Sequence, residues 1–391
     1  MNKIVFITGT RADYGKLKPL INGCIRELPN IETNIYVSGM HLLDEYGGTY
    51  KEIIADGYDN IHLQRELPSS LYMDENLAIT MSEFSQYVRN INPNMIIVHG
   101  DRIEALAAAT VAMLNNICLG HIEGGEVTGT VDESIRHAIS KMANLHFVAN
   151  QESKLRLIQL GEEEEDIFVI GSPDIDIMLS DLLPDIGKIK NKLGINFANY
   201  GILIYHPVTS ELDGLSESIQ AIMKALIKSQ KNYIAIYPNN DSGSQIIINE
   251  YKKHFKHHNF MFFKSINFEP FLTLLKNCEF IIGNSSAGIR EACVYGIPAI
   301  DIGTRQKNRY SSIVLPNIIK TVANQQAISE SISVVNKCRI QSSYFGDGKS
   351  TNRFISLLKN KDIWRTYIQK NFNDTLDTKK AIALYHNEVC F

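Results

Sequence analysis

Three groups of acids and imidazoles in the first half of the chain have the residue types of proton-transfer chemistry. His99, Asp101 and Arg102 follow one apolar run, and His121, Glu123 and Glu126 follow the next. Asp132, Glu133, Arg136 and His137 lie on or just before a helical stretch, and His206 ends an apolar run in the second half. Carboxylates held close together raise one another's proton affinity, so one site can present both an acid and a base. Each of these residues alone reads as a loop cap or a surface charge. Their recurrence at the same end of successive strands singles out the group.

Two other segments have the look of anion sites. Val5-Phe6-Ile7 runs into Thr8-Gly9-Thr10-Arg11-Ala12-Asp13-Tyr14-Gly15, and Phe280-Ile281-Ile282 runs into Gly283-Asn284-Ser285-Ser286-Ala287-Gly288-Ile289-Arg290-Glu291. Both read as a buried strand breaking into a polar turn that opens a helix, which aims backbone N–H groups at a phosphate. A simple helix cap needs one Ser; the second segment offers Ser285, Ser286 and Gly288 together. Glu291, about one and a half turns past Ser286, is placed to accept both hydroxyls of a ribose. The first segment is weaker: Arg11 can pair with phosphate, but this is not the GxGxxG dinucleotide pattern.

Strand and helix signals alternate along the whole chain, which predicts parallel α/β sheets with polar loops at the strands' carboxyl ends. Strands are expected at Lys3–Ile7, Thr33–Val37, Ile61–Leu63, Met95–Val98, Cys118–His121, His146–Ala149 and Ile167–Ile170. The alternation pauses over Leu182–Asn199 and restarts with strands at Gly201–Tyr205, Tyr233–Tyr237, Phe260–Phe263, Glu279–Ile282 and Ala299–Ile302. The expected plan is a domain over 1–180, a linker over 181–199, a second domain over 200–362 and a helical segment over 363–391 that folds back. Ile289–Tyr295 and Val322–Val334 are read as helices, and Glu162–Glu165 as a solvated acidic run.

Composition bounds the function classes. The 391 residues are 44% hydrophobic and 21% charged, and the net charge of -4 argues against a general nucleic-acid or membrane-surface binder. No apolar run is long enough to span a bilayer and no signal-peptide pattern opens the chain, so a cytoplasmic protein is expected. The six cysteines are scattered without ligand spacing. HExxH and GxSxG are absent, and no metal or cofactor is called for.

These motifs closely resemble the hydrolysing UDP-N-acetylglucosamine 2-epimerases of bacterial sialic acid biosynthesis. The resemblance runs from Ile4 to about Phe354. It is carried by GTRADYGKLKPL (Gly9–Leu20), HGDRIEALAAA (His99–Ala109), HIEGGEVTGTVDESIRHAISK (His121–Lys141), GSPDIDIM (Gly171–Met178), HPVT (His206–Thr209), YPNNDSG (Tyr237–Gly243), GNSSAGIREA (Gly283–Ala292) and DIGTRQKNR (Asp301–Arg309). The resemblance implies two Rossmann-like domains facing across a cleft, a glycosyltransferase-B-like build. It also implies metal-independent conversion of UDP-N-acetylglucosamine and water to N-acetylmannosamine and UDP, by anti elimination through 2-acetamidoglucal and rehydration.

By match to the family, Asp101, Glu123 and Asp132 supply general acid/base catalysis, with Glu123 and Asp101 foremost. His206 assists UDP departure. Arg11, Ser285, Ser286, Gly288 and Arg305 meet the phosphates, Glu291 the ribose, and Arg102 and Asn239 the sugar. One departure is Asp132-Glu133 where related members carry Asp-Asp. The resemblance implies a homodimer or homotetramer, with a UDP-sugar as partner and no nucleic acid or membrane. Alternatives are a hydrolysing epimerase of UDP-N,N'-diacetylbacillosamine for legionaminic acid synthesis, a UDP-sugar glycosyltransferase, and a nucleotide-sugar sensor.

Overall fold

Apolar runs that are buried along their length can only be covered on both faces, which is the environment of parallel strands between helices. In the computed structural model β1 (Asn2–Thr8), β2 (Ile31–Val37), β3 (Ile61–Leu63), β4 (Met95–His99), β5 (Cys118–Ile122), β6 (Leu145–Val148) and β7 (Ile167–Val169) form one sheet in the order β3-β2-β1-β4-β5-β6-β7. All its pairings are parallel. The helices are α1 (Arg11–Glu27), α2 (Tyr50–Ala55), α3 (Met73–Ile91), α4 (Ile103–Leu114), α5 (Val131–Met142), α6 (Gln151–Gln159) and α7 (Asp174–Met178), where the chain leaves this unit. The structure describes residues 1–44, 47–67, 72–127, 131–181, 183–208, 211–238, 242–307, 315–365 and 368–373.

The second unit, residues 177–347, repeats the plan without repeating the sequence. Strands β8 (Gly201–Ile204), β9 (Tyr233–Ile236), β10 (Phe260–Phe263), β11 (Ile281–Gly283), β12 (Ala299–Ile302) and β13 (Ile318–Thr321) form a parallel sheet in the order β10-β9-β8-β11-β12-β13. Its helices are α8 (Ile186–Leu193), α9 (Leu215–Lys228), α10 (Ser244–Lys253), α11 (Phe268–Lys276), α12 (Glu291–Val294) and α13 (Gln325–Val334). Strand β13 has no counterpart in the sequence reading, which passes from the strand at Ala299–Ile302 to the helix at Val322–Val334. Helix α13 starts three residues later than expected, where the Asn324 side chain accepts from the Gln326 and Ala327 N–H groups.

The largest departure from the expected domain plan is at the other end. The chain returns to the first unit at residue 348, so α14 (Ser350–Lys359) belongs there and not to a domain ending at 362. Its apolar face supplies the reason. Phe354, fully buried, packs against Phe6 and Phe147 at ring separations of 6.4 and 4.9 Å, and Ile355 and Leu358 join the same core as Leu17, Leu20 and Cys24 of α1. Of the expected helical segment over 363–391, residues 363–365 lie in a 3-10 turn, Lys361–Arg365, and residues 366, 367 and 374–391 lie outside the described residues. No helix among the described residues is long and apolar enough to cross a membrane.

In both sheets the strand order reverses at one point, between β1 and β4 in the first unit and between β8 and β11 in the second. Crevices outside the carboxyl ends of strands at such points are where open α/β sheets bind ligands. His99, and the turn after β1, flank the first; His206 and the turn from Gly283 flank the second.

Candidate active site

The turn after β1 is built around a buried acid. Glu104, 4% exposed in the first turn of α4, lies under two glycine turns: a Cβ at Gly9 would stand 2.6 Å from its Cδ. One at Gly39, which also has φ +59°, would stand 2.2 Å from its Oε1. Only glycine permits both approaches. Burial pushes the Glu104 carboxyl up, and Arg102, whose Nε donates to its Oε2 at 3.2 Å, opposes this. Thr10 then caps α1, accepting from the Asp13 N–H at 3.3 Å and donating its hydroxyl to Asp13 Oδ2 at 2.9 Å.

Glu123 is the hub of the first unit's site. It follows β5 directly, is 3% exposed, and has φ +61°, a left-handed conformation that non-glycine residues adopt at a cost. Its backbone is held from two sides: its N–H donates to Phe147 O at 3.0 Å and its carbonyl accepts from Arg136 Nη1 at 2.7 Å. Its carboxylate accepts from Lys16 Nζ at 2.7 and 3.0 Å on its two oxygens, from the Ser172 hydroxyl, and from His99 Nε2 at 3.1 Å. Lys16 also lies 3.3 Å from Asp174 Oδ2. His99 is buried, which alone would pull its pKa down, but its hydrogen bonds to Asp13 and Glu123 outweigh this and push it up to about 9. Asp13 is held low: burial raises it, and His99, Arg102 and Thr10 together lower it further.

Asp101 lies beside this hub. Arg136, buried on α5, donates through Nη2 to Asp101 Oδ2 while its other arm holds the Glu123 carbonyl. Burial raises the proton affinity of Asp101; Arg136 opposes and the charge of Asp132 adds. Asp132 and Arg136 are four residues apart on α5, hence on one face. His121 is neutral, its pKa pushed down to about 3 by burial. The Gly100 carbonyl, 2.8 Å from Nε2, can only accept. The proton therefore sits on Nε2, and Nδ1 accepts from the Ser140 hydroxyl at 3.0 Å. His121 thus fixes the loop that carries Asp101. Of the other imidazoles, His137 pairs with Glu133 at 3.7 Å and His146 with Glu162 at 3.0 Å.

The second unit's site is organised by Asn284. Its side chain clasps the backbone of His206, accepting from the His206 N–H at 2.7 Å and donating to its carbonyl at 2.8 Å. Its own carbonyl accepts from Arg305 Nη1 at 3.1 Å and from the buried Gln306 Nε2 at 2.8 Å. The ends of β8, β11 and β12 are thereby tied together. Gly283 has φ +136°, and a Cβ there would stand 1.9 Å from the Ile204 carbonyl oxygen, so only glycine fits. Burial, with Arg305 nearby, pushes the His206 imidazole down to about 3. The expected helix at Ile289–Tyr295 is shorter than the sequence suggested. Ser286–Gly288 form one 3-10 turn, capped by Ser285 Oγ accepting from Ala287 N–H at 3.3 Å, and α12 begins only at Glu291. Any anion binding here falls to the turn and its side chains, not to a long helix.

Of the residues singled out from sequence, Arg136 ties Asp101 to Glu123 in the first unit, with Asp132 four residues before it on α5, and Asn284 ties His206 to Arg305 in the second, where Ser285, Ser286 and Gly288 follow it in the turn and Glu291 opens α12. Arg11 pairs with Glu52 at 2.7 Å, and Arg102 with Glu104. Asn239 lies outside the described residues. Sequence reasoning gave no role to Asp13, Lys16 or Ser172, and placed Asn284 in the anion turn without its clasp on His206. Asp13 and Lys16 had a signal: three residues apart, they share a face of the helix that opens at the switch point. The acidic run was misjudged at one residue. Glu162 is 2% exposed, buried against His146, Lys141 and Lys370. Among the described residues no group of three or more His, Cys, Asp or Glu side chains is arranged to hold a metal ion.

Residues 24–359 match the family model described as UDP-N-acetylglucosamine 2-epimerase. The chain is 43% identical over 377 residues to a UDP-N-acetylglucosamine 2-epimerase of Neisseria meningitidis serogroup B, covering 96% of this chain and 99% of that one. It is 34% identical over 367 residues to a hydrolysing UDP-N,N'-diacetylbacillosamine 2-epimerase of Legionella pneumophila, covering 92% and 96%. The fold is shared with a crystal structure of UDP-GlcNAc 2-epimerase from Neisseria meningitidis bound to UDP-GlcNAc, at TM-score 0.77 and 20% identity over 92% of this chain and all of that one.

Proposed function

Because the chain belongs to the UDP-N-acetylglucosamine 2-epimerase family, we propose that it is the hydrolysing enzyme, converting UDP-N-acetylglucosamine and water to N-acetylmannosamine and UDP. The C2 proton of the sugar is removed as the C1–O bond breaks and its electron pair leaves with UDP. Water then adds its oxygen to C1 of the 2-acetamidoglucal, and C2 takes a proton on the face opposite the one that lost it. Net, one water is consumed and C2 is inverted.

The observation that carries this reading is the setting of Glu123. A carboxylate is held at a strained backbone position, at a topological switch point, between an ammonium, an imidazolium and a hydroxyl. Asp101 and Asp132 stand beside it, and burial first, with the charge of Asp132 added, pushes the proton affinity of Asp101 up, so the site offers carboxylates of unequal basicity for proton transfer on the two faces of the sugar. In the second unit, the Ser285–Gly288 turn and Arg305 take the diphosphate, Glu291 the ribose, and His206 donates one N–H to the departing UDP. By resemblance, Arg11 is assigned to the phosphates and Arg102 and Asn239 to the sugar. By resemblance, the released N-acetylmannosamine serves sialic acid synthesis, and the enzyme is cytoplasmic and a homodimer or homotetramer.

The similarity to the Legionella enzyme favours one second reading, hydrolysis of UDP-N,N'-diacetylbacillosamine at the same site. Incubation with each UDP-sugar in deuterated water, followed by proton NMR, decides. Free N-acetylmannosamine deuterated at C2, with UDP, is the expected result. Turnover of the bacillosamine sugar alone moves the substrate to the second reading, and a product still joined to UDP overturns the hydrolytic step.

A further inference from the structure

We propose that Asp13 is a positioning residue of this reaction: through His99 it fixes the carboxylate of Glu123, so that Asp13, His99 and Glu123 act as one buried relay. The proposal rests on the reading that Glu123 exchanges a proton during turnover.

The geometry is a continuous chain of hydrogen bonds within the first unit. Thr10 Oγ1 lies 2.9 Å from Asp13 Oδ2, Asp13 Oδ1 lies 3.2 Å from His99 Nδ1, and His99 Nε2 lies 3.1 Å from Glu123 Oε2. Ionised carboxylates only accept, so with one on each side both ring nitrogens must donate, and the ring is an imidazolium. Asp13 acts on it from α1, Asp101 from the loop after β4, and His121 and Glu123 from β5 and its end, while the cations Lys16 and Arg102 act on its partners Glu123 and Asp13. The flanking carboxylates prevail over burial, consistent with a ring that keeps its proton up to about pH 9.

The consequence for Glu123 is specific. Its Oε1 is engaged by Lys16 and Ser172, and its Oε2 by His99. The carboxylate is buried, and the imidazolium N–H on Oε2 holds it charged and in one orientation to meet substrate; protonated on both nitrogens, the ring can give a proton but has no lone pair with which to take one. Asp13 keeps that imidazole charged and in one orientation. It does this without touching Glu123, as the third group of an acid–base set orients its base.

Asp13→Asn keeps the shape of the side chain and removes the charge. Two readouts on the full chain test the proposal. In nitrogen-15 NMR of the imidazoles, His99 should carry a proton on both nitrogens at pH 8 in the unaltered chain and lose one in the variant. In turnover of the UDP-sugar, kcat should fall on the order of 10²-fold with KM within about threefold. The alkaline limb of the kcat profile should move toward acid by about one pH unit or more, and Asp13→Glu should restore much of the loss. A neutral His99 in the unaltered chain overturns the relay and needs no variant. So does a fall in kcat with the alkaline limb unmoved, which would mark Asp13 as a structural support of the Thr10 cap alone. If the unaltered chain turns over neither UDP-sugar, the functional reading fails, and the NMR result still judges the relay.

Discussion

Lys16 and Glu123, 107 residues apart, meet as a buried ion pair: Nζ lies 2.7 and 3.0 Å from the two carboxylate oxygens, and the side chains are 15% and 4% exposed. Removing one partner of such a pair strands the other's charge. Lys16→Met should therefore cost stability on the order of 3 kcal/mol. Adding Glu123→Gln should recover part of that loss, because a neutral amide needs no cation. Urea denaturation of the two single variants, the double variant and the unaltered chain measures this; strict additivity would refute the coupling.

Glu123→Gln alone should collapse turnover while leaving UDP affinity within about threefold, since UDP is assigned to the second unit. Calorimetric titration with UDP and the NMR assay give the two numbers. Normal turnover would remove Glu123 from the mechanism.

Arg136 joins the Asp101 carboxylate to the Glu123 carbonyl with two arms of one guanidinium. Lysine offers a single point charge in place of that fork. Arg136→Lys should lower kcat by about 10- to 100-fold with little change in UDP binding. A change confined to KM would argue that Arg136 binds substrate instead.

Stability should fall off on both sides of neutrality, for opposite reasons. The folded value for His99, about 9, lies above the ~6.5 of an unfolded chain, so its contribution is whole below about pH 6.5 and is lost as pH rises through 9. His121 and His206 are held neutral with values near 3, so their penalty appears as pH falls below about 6.5 and grows toward 3. Urea midpoints measured from about pH 4 to 10 should show the fall on each side, and His99→Gln should flatten the alkaline one. An unchanged alkaline slope in that variant would contradict the assignment.

Asn284→Ala should weaken UDP binding by about 10- to 100-fold, because it releases His206 from the turn that Arg305 and Gln306 brace. An affinity equal to that of the unaltered chain would show that the clasp does not shape the nucleotide site.

The alternating pattern and the polar strand ends were legible in the sequence because burial on both faces forces continuous apolar runs, and these mark each strand. The acids were legible for the same reason, since each follows such a run. What escaped was of two kinds. Asp13, Lys16 and Ser172 act through partners more than a hundred residues away or across a strand order that no local pattern encodes, as the 156-residue separation of Lys16 and Ser172 shows. Asn284 looks like any polar turn residue until the pairing of β8 with β11 sets it beside His206. The return of α14 was missed because its amphipathic face fits any α/β layer; only packing against α1 assigns it, where a Cβ at Gly23 would stand 2.5 Å from Thr351 Cγ2.

That return sets an order on synthesis. Residues 177–347 form a unit of contiguous chain, whereas the first unit needs Phe354, Ile355 and Leu358 to cover Phe6, Leu17 and Phe147. A ribosome moving from one end to the other therefore releases the second unit's complete segment while the first still exposes a hydrophobic face. The half of the molecule that is made first is the last to be finished. Its nascent form is the one that needs shielding from aggregation until Phe354, Ile355 and Leu358 have left the exit tunnel.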